Sequence, residues 1–143
     1  MPSELEWEKA ARGGLTDAVY AWGDTPDPDR ANYDDSGVGD TSVVGCFPAN
    51  DFGLHDIIGN VWEWTRSLWG KDLWDPDFVY PYEPDDPNRE DLEAGNDVSR
   101  AVRGGAWRDV RDYARCACRE GGRPDGRSGI VGFRVVLRSA PVR

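Results

Sequence analysis

Turn-forming residues constrain this chain more than any other feature. Its 143 residues include 17 Gly and 10 Pro, which cluster with Asp in runs such as DTPDPD, DDSGVGD and FPAND around residues 19–50. A second acidic, proline-rich stretch covers 70–97 and is predicted to be a long surface loop. Gly, Pro and Asp favour turns and interrupt helices and strands. The chain is therefore predicted to be an α+β domain that is mostly loop.

Few segments have the pattern of a regular element. Residues 3–12 are predicted to form one helix, because Ser3 can cap it, Glu6 completes a capping box and glycines follow at 13 and 14. A second ordered run covers 56–69. The predicted strands are 100–107, 113–119 and 131–138, and in the last of them Phe133, Val135 and Leu137 alternate onto one face. Phe133 is expected to be a buried core residue.

Composition indicates an ordered, single-domain chain. Seven Trp, five Tyr and four Phe argue against disorder, and the length suits one core. There is no run of about 18 apolar residues, so no membrane span is expected. The acidic N-terminus lacks the apolar region of a signal peptide. Localisation stays open: the chain could be cytoplasmic or part of a longer surface protein.

Charge is divided unevenly along the chain. The net charge is −10, yet residues 98–143 hold 11 Arg and only 4 acidic residues, while the first 97 residues hold 23 acidic and 6 basic ones. The arginines are scattered singly, and an acidic protein repels phosphate at long range. We therefore expect no nucleic-acid partner, and we expect the two parts to neutralise each other on folding.

The three cysteines do not form a recognisable zinc site. Cys116 and Cys118 have C-x-C spacing without a second pair, and His55 is the single histidine. Buried free thiols are the expected state, and one disulfide between Cys46 and either Cys116 or Cys118 is the alternative. His55 is too isolated for acid–base catalysis, so a structural role is expected.

Loops need an additional means of fixing their backbone. Candidates are buried Trp side chains, whose N–H groups can bond loop carbonyls, and cations bound by loop carbonyls and carboxylates. The segment from His55 to Trp64 offers both, since Asp56, Asn60 and Glu63 stand among glycine and apolar residues. Spacing alone leaves a solvated turn and a calcium site both open.

Several motifs together resemble the formylglycine-generating enzyme, or sulfatase-modifying factor, family. They are PSELEWEKAARGG, VYAWGD, ANY, VGCFPAN, FGLHDIIGNVWEWT, VRGGAW and GFRVV, they occur in family order, and they span nearly the whole chain. The resemblance implies a C-type-lectin-like fold, loop-rich, with a small twisted antiparallel sheet and few short helices. Residues 1–143 would form a single domain that is truncated or minimal at its N-terminus, because family domains begin earlier.

The resemblance also implies structural calcium. In the family, the loop matching FGLHDIIGNVWEW binds this ion. Carried over, the ligands would be the side chains of Asp56 and Glu63 and the backbone carbonyls of Gly59 and Val61. A second family site uses the stretch matching Asn32 and Tyr33 with an acidic residue downstream, which here could be Asp34, Asp35 or neither.

Oxidase activity is not expected from the same comparison. The family's oxidase uses a cysteine pair that binds copper, between the motifs matching GGAW and RCA. In this chain the interval 108–114 is short and contains no cysteine. Thiolates are the ligands that select copper(I), so no copper is expected. An oxidase, or a fragment of one, is kept as the alternative function.

A group of related proteins offers the preferred interpretation. The variable proteins of diversity-generating retroelements carry a C-terminal segment in which AAC codons are mutated at adenines to NNC. Every residue of 108–113 and 121–131 can be encoded by NNC, whereas Glu120 cannot and would belong to the unmutated frame. Residues 98–143 are therefore predicted to be a variable ligand-binding segment. An ordinary polar loop is the simpler explanation.

The predicted function is a non-catalytic binding module for a protein or peptide with an acidic or polar face. Arg and Tyr are enriched at binding hot spots. A structural or regulatory domain of a larger protein is a third class. The predicted ligand-binding residues are Arg108, Asp109, Val110, Arg111, Asp112, Tyr113, Arg123, Asp125, Arg127, Ser128 and Val131.

Overall fold

The first element is the helix predicted from the capping signals. We describe a computed structural model, which covers residues 1–83 and 86–137. Helix α1 runs Glu4–Arg12. The side chain of Ser3 accepts a hydrogen bond from the Glu6 amide, and the Glu6 carboxylate accepts one from the Ser3 amide, so the predicted capping box is present. Gly13 ends the helix in the left-handed conformation, with φ of 60°.

Four strands form one small sheet. They are β1 (Trp62–Gly70), β2 (Ser99–Arg103), β3 (Arg119–Gly122) and β4 (Val131–Phe133), in the spatial order β3-β2-β1-β4. β1–β2 and β2–β3 are antiparallel, but β4 runs parallel to β1. The α+β, loop-rich class is confirmed, whereas the sheet is mixed rather than purely antiparallel. A short 3-10 helix, Asp34–Ser36, is the other helical element of the described residues.

Strand boundaries differ from the predicted ones. The run 100–107 stops at Arg103, because Gly104 and Gly105 take positive φ values of 102° and 73°. The run 113–119 forms no strand before its last residue, since β3 begins only at Arg119. The run 131–138 is extended only to Phe133, and residue 138 lies outside the described residues.

The expectation that Phe133 is buried is wrong. Phe133, Val135 and Leu137 are 69%, 66% and 92% exposed. Alternation indicates that residues share a face of a strand, but it does not say which face another layer covers. β4 lies at one end of the sheet, and these side chains point away from the core. Phe133 is therefore not a core aromatic residue, contrary to the sequence-based expectation.

The core lies in two clusters. The first joins α1 to the turn before β1 and includes Trp7, Tyr33, Ile57, Ile58 and Cys116. The second joins the sheet to the turn after β2 and consists of Trp62, Val102 and Ala106, with Trp64 and Val131 packed against it. The indole N–H groups of Trp7 and Trp62 donate to the carboxylates of Glu63 and Asp109, both at 2.7 Å. These bonds join α1 to β1 and β1 to the turn after β2, and their acceptors are carboxylates rather than the loop carbonyls expected from the sequence.

A buried ion network attaches the long loop to the sheet. Glu4 is fully buried at the start of α1 and accepts hydrogen bonds from Arg103 at 3.1 Å, Arg89 at 3.2 Å and Arg119 at 2.9 Å. Arg89 stands in the stretch 70–97, of which the described part has no helix or strand beyond Gly70. The guanidinium of Arg89 also lies 4.2 Å from the centre of the Tyr82 ring.

Glu8 extends this network one turn along α1. Its carboxylate binds Arg103 at 2.6 Å and Arg12 at 2.7 Å. Burial alone would raise the pKa of Glu8, but hydrogen bonds and charge from Arg12 and Arg103 outweigh it and hold the pKa below its usual value. Arginines of the basic C-terminal part are thus neutralised by carboxylates of the acidic N-terminal part, in agreement with the sequence-based expectation.

Candidate functional site

The turn after β2 is held by close backbone contacts. The Gly59 amide donates to the Gly104 carbonyl at 2.8 Å, and the Trp107 amide donates to the Asn60 carbonyl at 3.0 Å. A Cβ atom at Gly105 would lie 2.9 Å from the Tyr113 carbonyl oxygen. Glycine is therefore required where residues 104–105 and 113–114 meet. This contact positions the segment 108–113 beside the sheet.

Most of the segment 108–113 projects away from that contact. Arg108, Val110, Arg111, Asp112 and Tyr113 are exposed, while Ala106, Ala114 and Cys116 on either side are buried. Arg111 pairs with Asp35 at 3.2 Å, and both side chains keep substantial exposure. The rings of Tyr113 and Trp62 meet edge to face at 6.1 Å.

Asp109 behaves differently from its neighbours. It is half-buried, its carboxylate accepts hydrogen bonds from the Trp62 indole at 2.7 Å and the Ala106 amide at 2.9 Å, and its carbonyl accepts one from Asp34 at 3.0 Å. These bonds link the turn to β1 and to the 3-10 helix. Contrary to its prediction as a free surface residue, Asp109 holds the turn in place.

The second predicted segment, 121–131, divides in two. Arg123, Asp125, Arg127 and Ser128 are exposed, as predicted for a binding surface. Gly121 and Gly122 belong to β3, where a Cβ atom would lie 2.7 Å from the Trp69 ring and 2.5 Å from the Trp64 ring. The NNC rule permits variation at these two positions, but packing does not, so they belong to the frame.

Both segments meet on one face of the sheet. A depression of about 340 Å³ is lined by Trp64, Gly122, Arg123, Gly126, Arg127, Ser128 and Val131. A second one, of about 320 Å³, is lined by Trp62, Val102, Asp109, Tyr113, Glu120, Gly121, Gly122 and Val131. They share Gly122 and Val131, so we call them together the sheet-face depressions. Arg108, Val110, Arg111, Asp112 and Asp125 line neither.

The floor of these depressions was not predicted. Trp62, Trp64 and Val102 come from β1 and β2, outside or at the start of the segments singled out from the sequence. The tryptophans were recognised as part of an ordered run, but the sequence carries no signal for the face to which they turn. The antiparallel pairing of β1 with β2, which places Trp64 opposite Val102, decides this.

The cysteines are three free thiols. Cys116 is buried in the first core cluster, and burial raises its pKa to about 11. Burial also raises the pKa of Cys118. Both therefore favour the protonated thiol at neutral pH. Cys46 is exposed, so the expectation of burial fails for this cysteine.

The predicted calcium turn has strained backbone and engaged carboxylates. Asp56 and Asn60 take positive φ values of 51° and 63°. The Asp56 carboxylate accepts a hydrogen bond from the Gly45 amide at 2.6 Å. Glu63 accepts two hydrogen bonds of 2.6 Å from the guanidinium of Arg134, besides the bond from Trp7. Arg134 therefore already supplies the positive charge beside Glu63.

The chemistry of the donors nevertheless suits calcium. Asp56 and Glu63 would provide carboxylates, and Gly59 and Val61 would provide backbone carbonyls; hard oxygen ligands of this kind are those that calcium prefers. Four residues fall short of the six to eight oxygens that the ion typically takes, so water would complete its shell. Within the described residues, no group of three or more His, Cys, Asp or Glu is placed to hold a metal.

The second predicted metal region is occupied by side-chain hydrogen bonds. Asn32 is buried, and its amide donates to the Asp40 carbonyl at 2.9 Å while its oxygen accepts from Ser36 at 3.1 Å. Asp34 and Asp35 lie in the 3-10 helix that follows Tyr33. His55 Nδ1 lies 2.9 Å from the Phe47 carbonyl, which agrees with a structural role.

No helix in the described part of the chain has the length and hydropathy needed to cross a bilayer. The chain is 36% identical over 134 residues to the serine/threonine-protein kinase pkn1 of Chlamydia caviae, covering 94% of this chain and 20% of the kinase. It is 35% identical over 150 residues to the inactive C-alpha-formylglycine-generating enzyme 2 of Bos taurus, covering 94% of this chain and 42% of that protein. The chain thus spans less than half of each of these relatives.

Among solved structures, the variable protein 1 of Treponema denticola matches with a TM-score of 0.70 and 30% identity, over 93% of this chain and 45% of that one. The model of the sulfatase-modifying factor enzyme 1-like domain matches residues 1–139. The motifs quoted from the sequence, the loop-rich α+β fold and this match agree. The chain belongs to the formylglycine-generating enzyme, or sulfatase-modifying factor, family.

Proposed function

We propose that this chain is a non-catalytic ligand-binding module, like the variable protein of a diversity-generating retroelement. One observation carries the proposal: exposed side chains at 108 and 110–113 stand between buried frame residues at 106 and 114. Such side chains can be exchanged without disturbing the core. The similarity to a variable protein supports the same function. The binding surface is formed by the sheet-face depressions and the exposed residues around them.

The thiols argue against the oxidase alternative. The interval 108–114 has no cysteine, and the thiol of Cys116 lies in the core with a pKa raised to about 11 by burial. A pair of accessible thiolates, which copper(I) chemistry needs, is therefore lacking among 108–118. The similarity to a relative named as an inactive enzyme points the same way. Family membership keeps the oxidase as the alternative.

An activity assay separates these two functions. The full chain is incubated with copper and a peptide containing the CxPxR motif, and the aldehyde product is measured. We expect no aldehyde above a control without protein. Turnover at a rate comparable to that of an active family oxidase, run in parallel, would overturn the binding-module proposal.

The diversified origin has a genetic test. We expect the DNA beside this gene to contain a reverse transcriptase gene and a near-copy of the codons for residues 100–136, differing only at adenines. The codons for Gly121 and Gly122 should be identical in the two copies, because a side chain at either position collides with a tryptophan. Differences at bases other than adenine would count against the proposal.

Calcium at the turn of Asp56 is a separate proposal. An ion there would need oxygen from Glu63, whose carboxylate Arg134 engages. A metal that binds only the folded state raises its stability by mass action. We expect calcium to raise the melting temperature of the wild type and to leave that of Asp56→Ala unchanged. If neither calcium nor a chelator changes the melting temperature of the wild type, this proposal is overturned.

A further inference from the structure

Trp74 is the most exposed aromatic residue among those described. Its side chain is 95% exposed, although a tryptophan ring is among the largest apolar surfaces a protein can leave in water. Its turn is tethered: the Trp69 indole donates to the Leu73 carbonyl at 3.2 Å, and the Trp74 amide donates to the Asp72 carboxylate at 2.8 Å. An exposed indole on a tethered turn has no internal packing role.

The turn of Trp74 adjoins the proposed binding surface. A depression of about 460 Å³ is lined by Lys71, Asp72, Leu73, Trp74 and Arg123. Arg123 also lines the sheet-face depression that contains Trp64. The three depressions therefore adjoin through shared lining residues: Arg123 links the Trp74 depression to one sheet-face depression, and Gly122 and Val131 link that one to the other. We call the three together the trough. A ligand long enough to follow the trough would touch all three.

Acidic and basic side chains both line the trough. The end near Tyr113 carries the carboxylates of Asp109 and Glu120, and the pKa of Glu120 is raised by burial and by the charge of Asp109. The middle carries Arg123 and Arg127. At the Trp74 end, Lys71 pairs with Asp97 at 2.8 Å, and Asp72 accepts the hydrogen bond from the Trp74 amide. Arg123 lines the same depression as Trp74, so a guanidinium stands beside the exposed indole.

We propose that Trp74 is a fixed anchor of the ligand site and that the occupant is an extended peptide with an acidic residue next to a large apolar one. This inference rests on the proposed binding function. The acidic side chain pairs with Arg123 or Arg127, as charge complementarity requires, and the apolar one packs on Trp74. Trp74 lies outside 98–143, so it supplies affinity whatever residues the variable segment carries. Trp is the residue type most typical of such hot spots.

The test uses peptides selected on the wild-type chain from a random display library of roughly 12-residue peptides, which reach about 40 Å when extended. Binding of the selected peptides is measured by fluorescence anisotropy. We expect acidic residues beside Trp, Phe or Leu to be enriched. Trp74→Ser should weaken binding about tenfold or more, while Leu92→Ser, the matched change of another exposed apolar residue in the stretch 70–97, should leave it unchanged.

The outcomes separate the two proposals. Binding within about twofold of wild type for Trp74→Ser, together with weakening by Arg127→Ser or Tyr113→Ser, overturns the anchor and leaves the binding function standing. Selected peptides without acidic residues overturn the stated ligand chemistry. If no peptide is selected, or if Trp74→Ser, Arg127→Ser and Tyr113→Ser all leave peptide binding unchanged, the proposed function and the anchor are both overturned. Melting temperatures of the variants confirm that each has folded.

Discussion

Gly59 is the position where the backbone tolerates a side chain least. Its φ is 76°, and an added Cβ would lie 2.3 Å from the Asn32 carbonyl oxygen. Its own amide bonds Gly104, and the next amide, of Asn60, bonds the same Asn32 carbonyl at 2.7 Å. One turn therefore joins the segment of Asn32 to the segment that carries the proposed binding surface, and Gly59→Ala should disrupt both contacts.

The chain contains a matched control for this change. Gly53 has nearly the same φ, 75°, but an added Cβ meets nothing within 4 Å. Left-handed backbone costs a non-glycine residue roughly 1–2 kcal/mol, so Gly53→Ala should lose about that much free energy of unfolding. Gly59→Ala bears the same strain plus about 1–3 kcal/mol or more for the collision with backbone. The total is roughly 2–5 kcal/mol.

Urea denaturation, followed by tryptophan fluorescence, gives the free energy of unfolding of both variants. A thermal melt gives their melting temperatures. In a domain of this size, about 1 kcal/mol shifts the melting temperature by roughly 2–4 °C. Gly59→Ala should thus melt clearly below Gly53→Ala, and its peptide binding should fall with stability because the supporting turn moves. Equal losses for the two variants would mean that backbone strain alone matters and that the contact with Asn32 does not hold the turn.

Three further predictions concern the ion network, its pH dependence and the exposed segments. Glu4→Gln should cost about 3–5 kcal/mol of unfolding free energy, because buried arginines lose their carboxylate; a loss below about 1 kcal/mol, typical of exposed pairs, would contradict its burial. Folding lowers the pKa of Glu8 from 4.5, so the Glu8 carboxylate stabilises the fold above pH 4.5 and this stabilisation is lost on acidification. Glu8→Gln should therefore flatten the decline of stability at acidic pH. An unchanged decline would refute the ion pairs. Arg111→Ser and Arg127→Ser should each change stability by about 0.5 kcal/mol or less, against roughly 3–5 kcal/mol for Trp7→Ala; comparable melting temperatures for all three would show that the exposed segments carry the fold.

Local signals predicted the parts of the fold that depend on neighbouring residues. The capping box depends only on Ser3 and Glu6, which are three positions apart, and its prediction is confirmed. The turn-forming runs predicted the loop-rich architecture for the same reason. The motifs identified the family, because they combine residues whose order is specific even where their contacts are unknown. The candidate segment 108–113 followed from composition and position within that order.

Long-range contacts decided what composition could not. Asp109 and Asp112 are equivalent under the codon rule, but only Asp109 is bound by the indole of Trp62, 47 positions away along the chain. The alternation of Phe133, Val135 and Leu137 is equally compatible with a buried and an exposed face. Which face is covered depends on the layers that the whole chain brings together, and no local pattern records that.

The sequence by itself determined the helix and its caps, the density of turns and the family. The tertiary structure alone decided which NNC-compatible positions can vary: Gly121 and Gly122 cannot, because β3 brings them against Trp69 and Trp64. It also placed Trp74 at the end of the trough. Secondary structure and motif order arise from neighbours in the chain, whereas a surface is made by residues that only folding brings together, so its members are distributed over segments that share no local pattern.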